Sequence, residues 1–137
     1  MTTETDAPTF DADAIGKAGE PVAFSVSEEG IAAYAAATND PISQHASGEL
    51  APPVFSIVPG FQSLALASIS VIPGELIGAI LHGEQDFHFH VPMHPGMQLK
   101  TTSKPIGMRQ RSSGVTVVVH GETRDAAGEL VTEQYMT

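Results

Sequence analysis

No cysteine occurs in these 137 residues. That absence excludes a disulfide framework, a thiolate zinc ribbon and a thiol nucleophile. It fits a reducing compartment, so a cytoplasmic location is expected. Bases are also scarce: 6 Lys and Arg stand against 16 Asp and Glu, a net charge of −10. Nucleic acid is bound through a basic stripe that meets phosphates, and an acidic surface repels anionic lipid. Neither partner is expected. No run approaches the roughly 18 apolar residues that span a bilayer. The first residues are acidic and polar, without the basic start and apolar stretch of a secretory signal. Gly-x-Ser-x-Gly and Gly-rich phosphate loops are missing too.

What the chain does have is a core. Hydrophobic residues make up 42%, enough for one globular domain at this length. Residues 1–19 are expected to form a flexible acidic N-terminal arm, and residues 20–137 the single domain. Residues 20–26 alternate weakly, as a short strand does. Ser25 or Ser27 is a candidate N-cap, with Glu28 and Glu29 at the dipole-favoured end of a helix running to about residue 38. Asn39-Asp40-Pro41 ends it, because proline disfavours helix at the preceding residue. Residues 41–53 read as a surface loop closing on Pro52-Pro53.

From Val54 to about Ser70 the chain is apolar, with Phe55, Val58, Ser63, Leu66 and Ile69 three to five residues apart. A buried helix, hydrophobic nearly all round, is expected. Pro59-Gly60 kink it or form its first turn. After Pro73-Gly74 the period changes. Strands are expected at 78–91, 97–108, 114–124 and 129–136, joined by short turns as an antiparallel meander. One long apolar helix and one such sheet hide their apolar faces only against each other. The fold class is therefore α+β, an antiparallel sheet wrapped around a central buried helix, which is the hot-dog fold.

Two segments carry a resemblance. Tyr34-Ala-Ala-Ala-Thr-Asn-Asp-Pro41, with Leu50-Ala-Pro-Pro-Val-Phe55 after it, is the first. Leu81-His-Gly-Glu-Gln-Asp-Phe-His-Phe-His90, with Val91-Pro-Met-His-Pro-Gly96, is the second. Together, over roughly residues 20–137, they resemble the N-terminal hot-dog half of the MaoC-like dehydratases and the first half of the (R)-specific enoyl-CoA hydratases. The resemblance implies a hydro-lyase of fatty acid metabolism. Such enzymes add water to a trans-2-enoyl thioester or remove it from a (3R)-hydroxyacyl thioester. The thioester rides on coenzyme A or acyl carrier protein, and no metal or other cofactor takes part. It implies a catalytic Asp40 and a His45 five residues later, and a helix N-terminus that offers a backbone N–H to the thioester oxygen. His82 and Gly83 then line or support the acyl site, with Phe55 and Phe61 beside the acyl chain. A homodimer, or a heterodimer with a second hot-dog subunit, is implied as well. The family's last strand runs several residues past the position of Thr137, which implies a truncated chain or one half of a longer protein.

This chemistry needs such residues. A water must lose a proton while C2 gains one, so groups of complementary protonation grip one oxygen. The thioester oxygen gains enolate charge, which preorganised donors stabilise. The family segment reads Asp-x-Asn-Pro-hydrophobic-His, whereas here Asp40-Pro41-Ile42-Ser43-Gln44-His45 keeps the ends and changes the middle. Two readings stand beside each other: a catalytic pair, or a helix-ending Asp40 with a loop histidine. A parallel alternative for the whole chain is a non-catalytic subunit that binds the acyl tail and completes a partner's site. His82, Glu84, Asp86, His88 and His90 share one strand face, but ligands from a single strand rarely close a tetrahedral zinc site. No metal is expected there, and Leu81, Phe87, Phe89 and Val91 are expected to face the core. Lys100, Lys104, Arg109 and Arg111 gather on and after one strand, as a charged edge or a phosphate contact.

Overall fold

A computed structural model describes residues 7–137. Five strands form one antiparallel sheet in the order β1-β3-β4-β5-β2. They are β1 (Val22–Ser25), β2 (Gln85–Phe89), β3 (Gln98–Arg111), β4 (Gly114–Arg124) and β5 (Leu130–Met136). Three α-helices accompany them: α1 (Glu28–Ala37), the single turn α2 (Ser43–Ala46) and α3 (Ile57–Ile69). The antiparallel sheet wraps α3, as the sequence pattern predicts.

Ser27 caps α1, its hydroxyl accepting from the Gly30 N–H at 3.0 Å. Two acids follow in the first turn, where the helix dipole favours them. A 3-10 turn, Pro53–Ser56, leads straight into α3. Pro59 falls in the first turn of α3, where a missing N–H costs nothing, so the helix does not break there. The α3 face carrying Pro59, Gly60, Ser63, Leu64, Ala67 and Ser68 is buried, and α3 packs on β3 and β4.

Inward positions alternate along the strands. Leu99, Thr101 and Ser103 of β3, Val119, Gly121 and Thr123 of β4, and Thr132 and Gln134 of β5 are buried. Several are polar, and all of these but Thr132, whose hydroxyl meets no partner, find one. Ser63 donates to Ser103 at 2.8 Å, Thr101 pairs with Thr123 at 2.8 Å, and Gln134 donates to the Ser56 carbonyl at 2.7 Å. Partnered in this way, buried polar groups avoid the desolvation penalty of unmade bonds. A side chain at Gly121 would overlap Leu64 and Ser103 at 2.9 Å, so glycine is what lets α3 lie close on β4. A second apolar cluster joins Val26, Ile31, Phe55, Met93, Leu99 and Val131 under α1.

Four expectations change. The strand over 78–91 shrinks to Gln85–Phe89, and Gly74–Ala79 is a 3-10 helix. Gly83 and Glu84 bond to Thr137, and upstream of them no ladder partner exists among the described residues. The meander holds for β3, β4 and β5 only, because β2 pairs with β5 and β1 pairs with β3. The Val91–Met97 link crosses between them, with Val91, Met93 and Met97 in the core. Leu81 and Phe89 do not face the core: they are 88% and 50% exposed. Finally, α3 is buried on one side, not all round; Val58, Phe61, Leu66 and Ile69 are exposed.

The arm over 1–19 is described from residue 7. Asp11 N–H donates to the Val71 carbonyl, Gly16 to Pro105 and Gly19 to Ser103, at 2.7–2.9 Å. β1 pairs only with Gln98–Thr101, and these last two bonds occupy the adjoining stretch of the β3 edge. Hence residues 11–19 are tied to the domain by backbone bonds that composition does not reveal.

Candidate functional site

The local fold after α1 brings Asp40 to His45. Asn39 adopts φ 53, a left-handed conformation that asparagine tolerates. Asn39 N–H then bonds the Ala36 carbonyl at 3.2 Å and Asp40 N–H the Ala35 carbonyl at 2.9 Å. This closing pattern at a helix end fixes the direction in which the chain leaves. Asp40 Oδ1 next accepts the Ile42 N–H at 2.9 Å, an Asx turn that leads into α2. The turn is thus held by Asp40 itself, in a sequence where Ile42-Ser43 stands in place of Asn-Pro. His45 comes at the end of α2. Gly48, at φ 81, sits so close to the Glu28 carbonyl that any side chain would collide, and this presses α2 onto α1.

The result is a direct pair. His45 Nδ1 lies 2.7 Å from Asp40 Oδ2. His45 is 6% exposed and Asp40 keeps a 16% exposed side chain. The Ile42 N–H, then the His45 ring, hold the Asp40 carboxyl below its ordinary value of 3.8. Asp40 is therefore anionic at neutral pH, and the His45 proton sits on Nδ1, donating to it. In that tautomer Nε2 carries the lone pair, the arrangement a general base requires.

The other expected site residues do not converge as a unit. Phe55 is 1% exposed in the core, packed edge-to-face on Tyr34 at 5.5 Å and Phe24 at 6.4 Å. Phe61 is 54% exposed on the outer side of α3. His82 is exposed and lies 2.9 Å from Gln85 Oε1; Gly83 N–H bonds the Thr137 carbonyl at 2.8 Å. From there a chain of bonds runs inward. Gln85 Nε2 donates to Gln134 Oε1 at 2.9 Å, and Gln134 to the Ser56 carbonyl at the start of α3. Gln85 and Gln134 carry this link and were not singled out by sequence reasoning; a glutamine at an inward position of β5 was the available signal. Lys100, Lys104, Arg109 and Arg111 are all exposed. A cavity of about 360 Å³ opens between the arm, β1 and α3, lined by Lys17, Val22, Leu66 and Ala67 among others, but not by Asp40 or His45.

Comparison with known proteins gives a family and a set of similar folds. The family described as FAS1-like, dehydratase domain region, matches residues 13–134. No curated protein matches. The MaoC-like dehydratase from Rhodospirillum rubrum is similar at TM-score 0.66 and 18% identity, covering 93% of this chain and 92% of that one. The C-terminally truncated HadBC (3R-hydroxyacyl-ACP dehydratase) complex from Mycobacterium tuberculosis reaches 0.70 at 23% identity, covering 90% and 95%. The (R)-hydratase from A. caviae involved in PHA biosynthesis gives 0.55 at 16% identity, covering 89% and 92%. At these identities the solved structures speak for the fold, which is the hot-dog fold.

Proposed function

Because this chain belongs to the family described as FAS1-like, dehydratase domain region, we propose that it adds water to a trans-2-enoyl thioester or removes it from a (3R)-hydroxyacyl thioester. The observation that carries this reading is the 2.7 Å contact of His45 Nδ1 with the Asp40 carboxylate. In the hydration direction His45 Nε2 takes a proton from water as its oxygen bonds to C3. The electrons of the C2–C3 double bond move onto the thioester, whose oxygen becomes enolate-like. The imidazolium, steadied by Asp40, returns the proton to C2, and the C–O and C–H bonds formed account for one water. Dehydration is the reverse. No electrons leave the substrate, so no redox cofactor is required.

The enolate oxygen needs a donor. Pro52 and Pro53 have no N–H, so the first amide of the turn entering α3 belongs to Val54; we assign it that role. His82 and Gly83 are assigned to support the acyl site, and Phe61 to border the acyl chain. Coenzyme A or acyl carrier protein is the proposed carrier, fatty acid metabolism the setting and the cytoplasm the location. No described helix is long and apolar enough to cross a membrane.

A second hot-dog subunit completes the proposal. Val58, Phe61 and Ile69 on the outer side of α3 are exposed, and β2 ends the sheet with one edge unpaired. Monomers rarely leave such apolar patches and strand edges bare, and pairing with a second copy or a related chain covers both. The same exposed face supports the alternative of a non-catalytic subunit that holds the acyl tail for a partner. Hydration of crotonyl-CoA and a longer enoyl-CoA by the purified chain separates the two, since only a hydratase turns over alone.

A further inference from the structure

The face of the sheet turned away from α3 carries a second group of histidines and carboxylates. In β4, Val119, Gly121 and Thr123 point to α3, so His120 and Glu122 point outward. In β5 the same alternation turns Glu133 and Tyr135 outward. Register sets Glu122 opposite Glu133. His90, just past β2, is held to β5 by its N–H on the Val131 carbonyl at 2.9 Å.

Two side chains, one from the end of β2 and one from β4, thus reach a single carboxylate on β5. His90 Nε2 lies 2.9 Å from Glu133 Oε2, and His120 Nε2 lies 3.3 Å from Glu133 Oε1. Ligand atoms of His120, Glu122 and Glu133 all fall within 4.8 Å of one another. Tyr135 lies over the His120 ring, centroids 4.6 Å apart, which limits its rotation. Arg124 grips Glu122 Oε2 at 2.9 Å and leaves the other oxygen for a further partner. The row His82 to His90 offers ligands from one strand alone; here the ligands come from β4, β5 and the end of β2.

We propose that His120, Glu122 and Glu133, whose ligand atoms already lie together, form a binding site for a zinc-class divalent cation on the outer face of the sheet, and that His90 swings from Glu133 Oε2 onto the ion as a fourth ligand. Imidazole and carboxylate are the ligands such ions take. Zinc bonds of about 2.0–2.2 Å in a tetrahedron set ligand atoms roughly 3.3–3.6 Å apart, and the His120–Glu133 separation of 3.3 Å already falls in that range. A cation also relieves the repulsion of two carboxylates directly across a strand pair. The ion is structural: it ties the end of β2 to β4 and β5 and has no part in the hydration step. Binding displaces the Nε2 protons that otherwise point at Glu133, so protons compete with the metal.

The test is titration of ZnCl2 into the EDTA-treated full chain at pH 7.5, with heat and thermal unfolding as readouts. One ion per chain is expected, with a Tm several degrees higher. Glu133→Gln and the exposed-side variant His90→Gln each weaken binding at least tenfold, while His94→Gln leaves it unchanged. Two variants guard against misfolding, since His90 is exposed enough for its loss to spare the fold. No saturable binding overturns the site. Equal affinity in both variants, with loss only in Asp40→Asn, also overturns it by moving the ion to the Asp40–His45 pair.

Discussion

Gln134 donates its side-chain amide to the Ser56 carbonyl at 2.7 Å while its own carbonyl accepts from Gln85 at 2.9 Å. One buried glutamine thereby ties β2 and β5 to the start of α3. Gly60 sits directly above it, where a Cβ would lie 2.5 Å from the amide nitrogen.

Gly60→Ala is therefore expected to push Gln134 away and leave a buried donor unmet. The loss is about 1–3 kcal/mol of stability, read as a lower urea midpoint. Gly74→Ala, where a Cβ meets nothing within 4 Å, changes stability by no more than about 0.5 kcal/mol.

Much of this was legible in the sequence. Period and caps give α1, α3 and the last three strands, because those signals are local. Asp40 and His45 were legible as a spacing, although their contact depends on the left-handed Asn39 and the close approach at Gly48. What escaped is non-local. The pairing of β2 with β5 is set by a crossing link whose Val91, Met93 and Met97 enter the core, and only strand order reveals it. The docking of residues 11–19 rests on backbone bonds, which have no side-chain signature. The meeting of His90 with His120 and Glu133 depends on the same strand order. The apolar side chains of α3 predicted burial on all sides because sequence does not separate a face covered by the sheet from one left exposed.

Phe61→Glu is expected to leave the chain folded, because Phe61 is 54% exposed, but to break the self-association proposed for the outer side of α3. Native mass should show a dimer for the unaltered chain and a monomer for the variant. A monomer in both directs the search to a heterologous hot-dog partner.

Acid stability should follow two carboxylates. Asp40 and Glu133 are both held below their ordinary values of 3.8 and 4.5, Asp40 by the Ile42 N–H and then His45, Glu133 by His90 and then His120. A depressed folded value means their contribution is full above the ordinary value and is lost as pH falls through the folded one. Tm should thus hold down to about pH 4.5 on this account and fall below it. In Glu133→Gln the first part of that acid decline should shrink.

The most direct measurement is the loss of enoyl-thioester absorbance when the purified chain, alone, meets crotonyl-CoA and a longer enoyl-CoA. Turnover is expected, reduced by about 10²–10⁴ in His45→Ala and strongly reduced in Asp40→Asn, with both variants folded. Undiminished turnover in His45→Ala, or none from the folded unaltered chain on either substrate, would contradict a hydratase built on this pair.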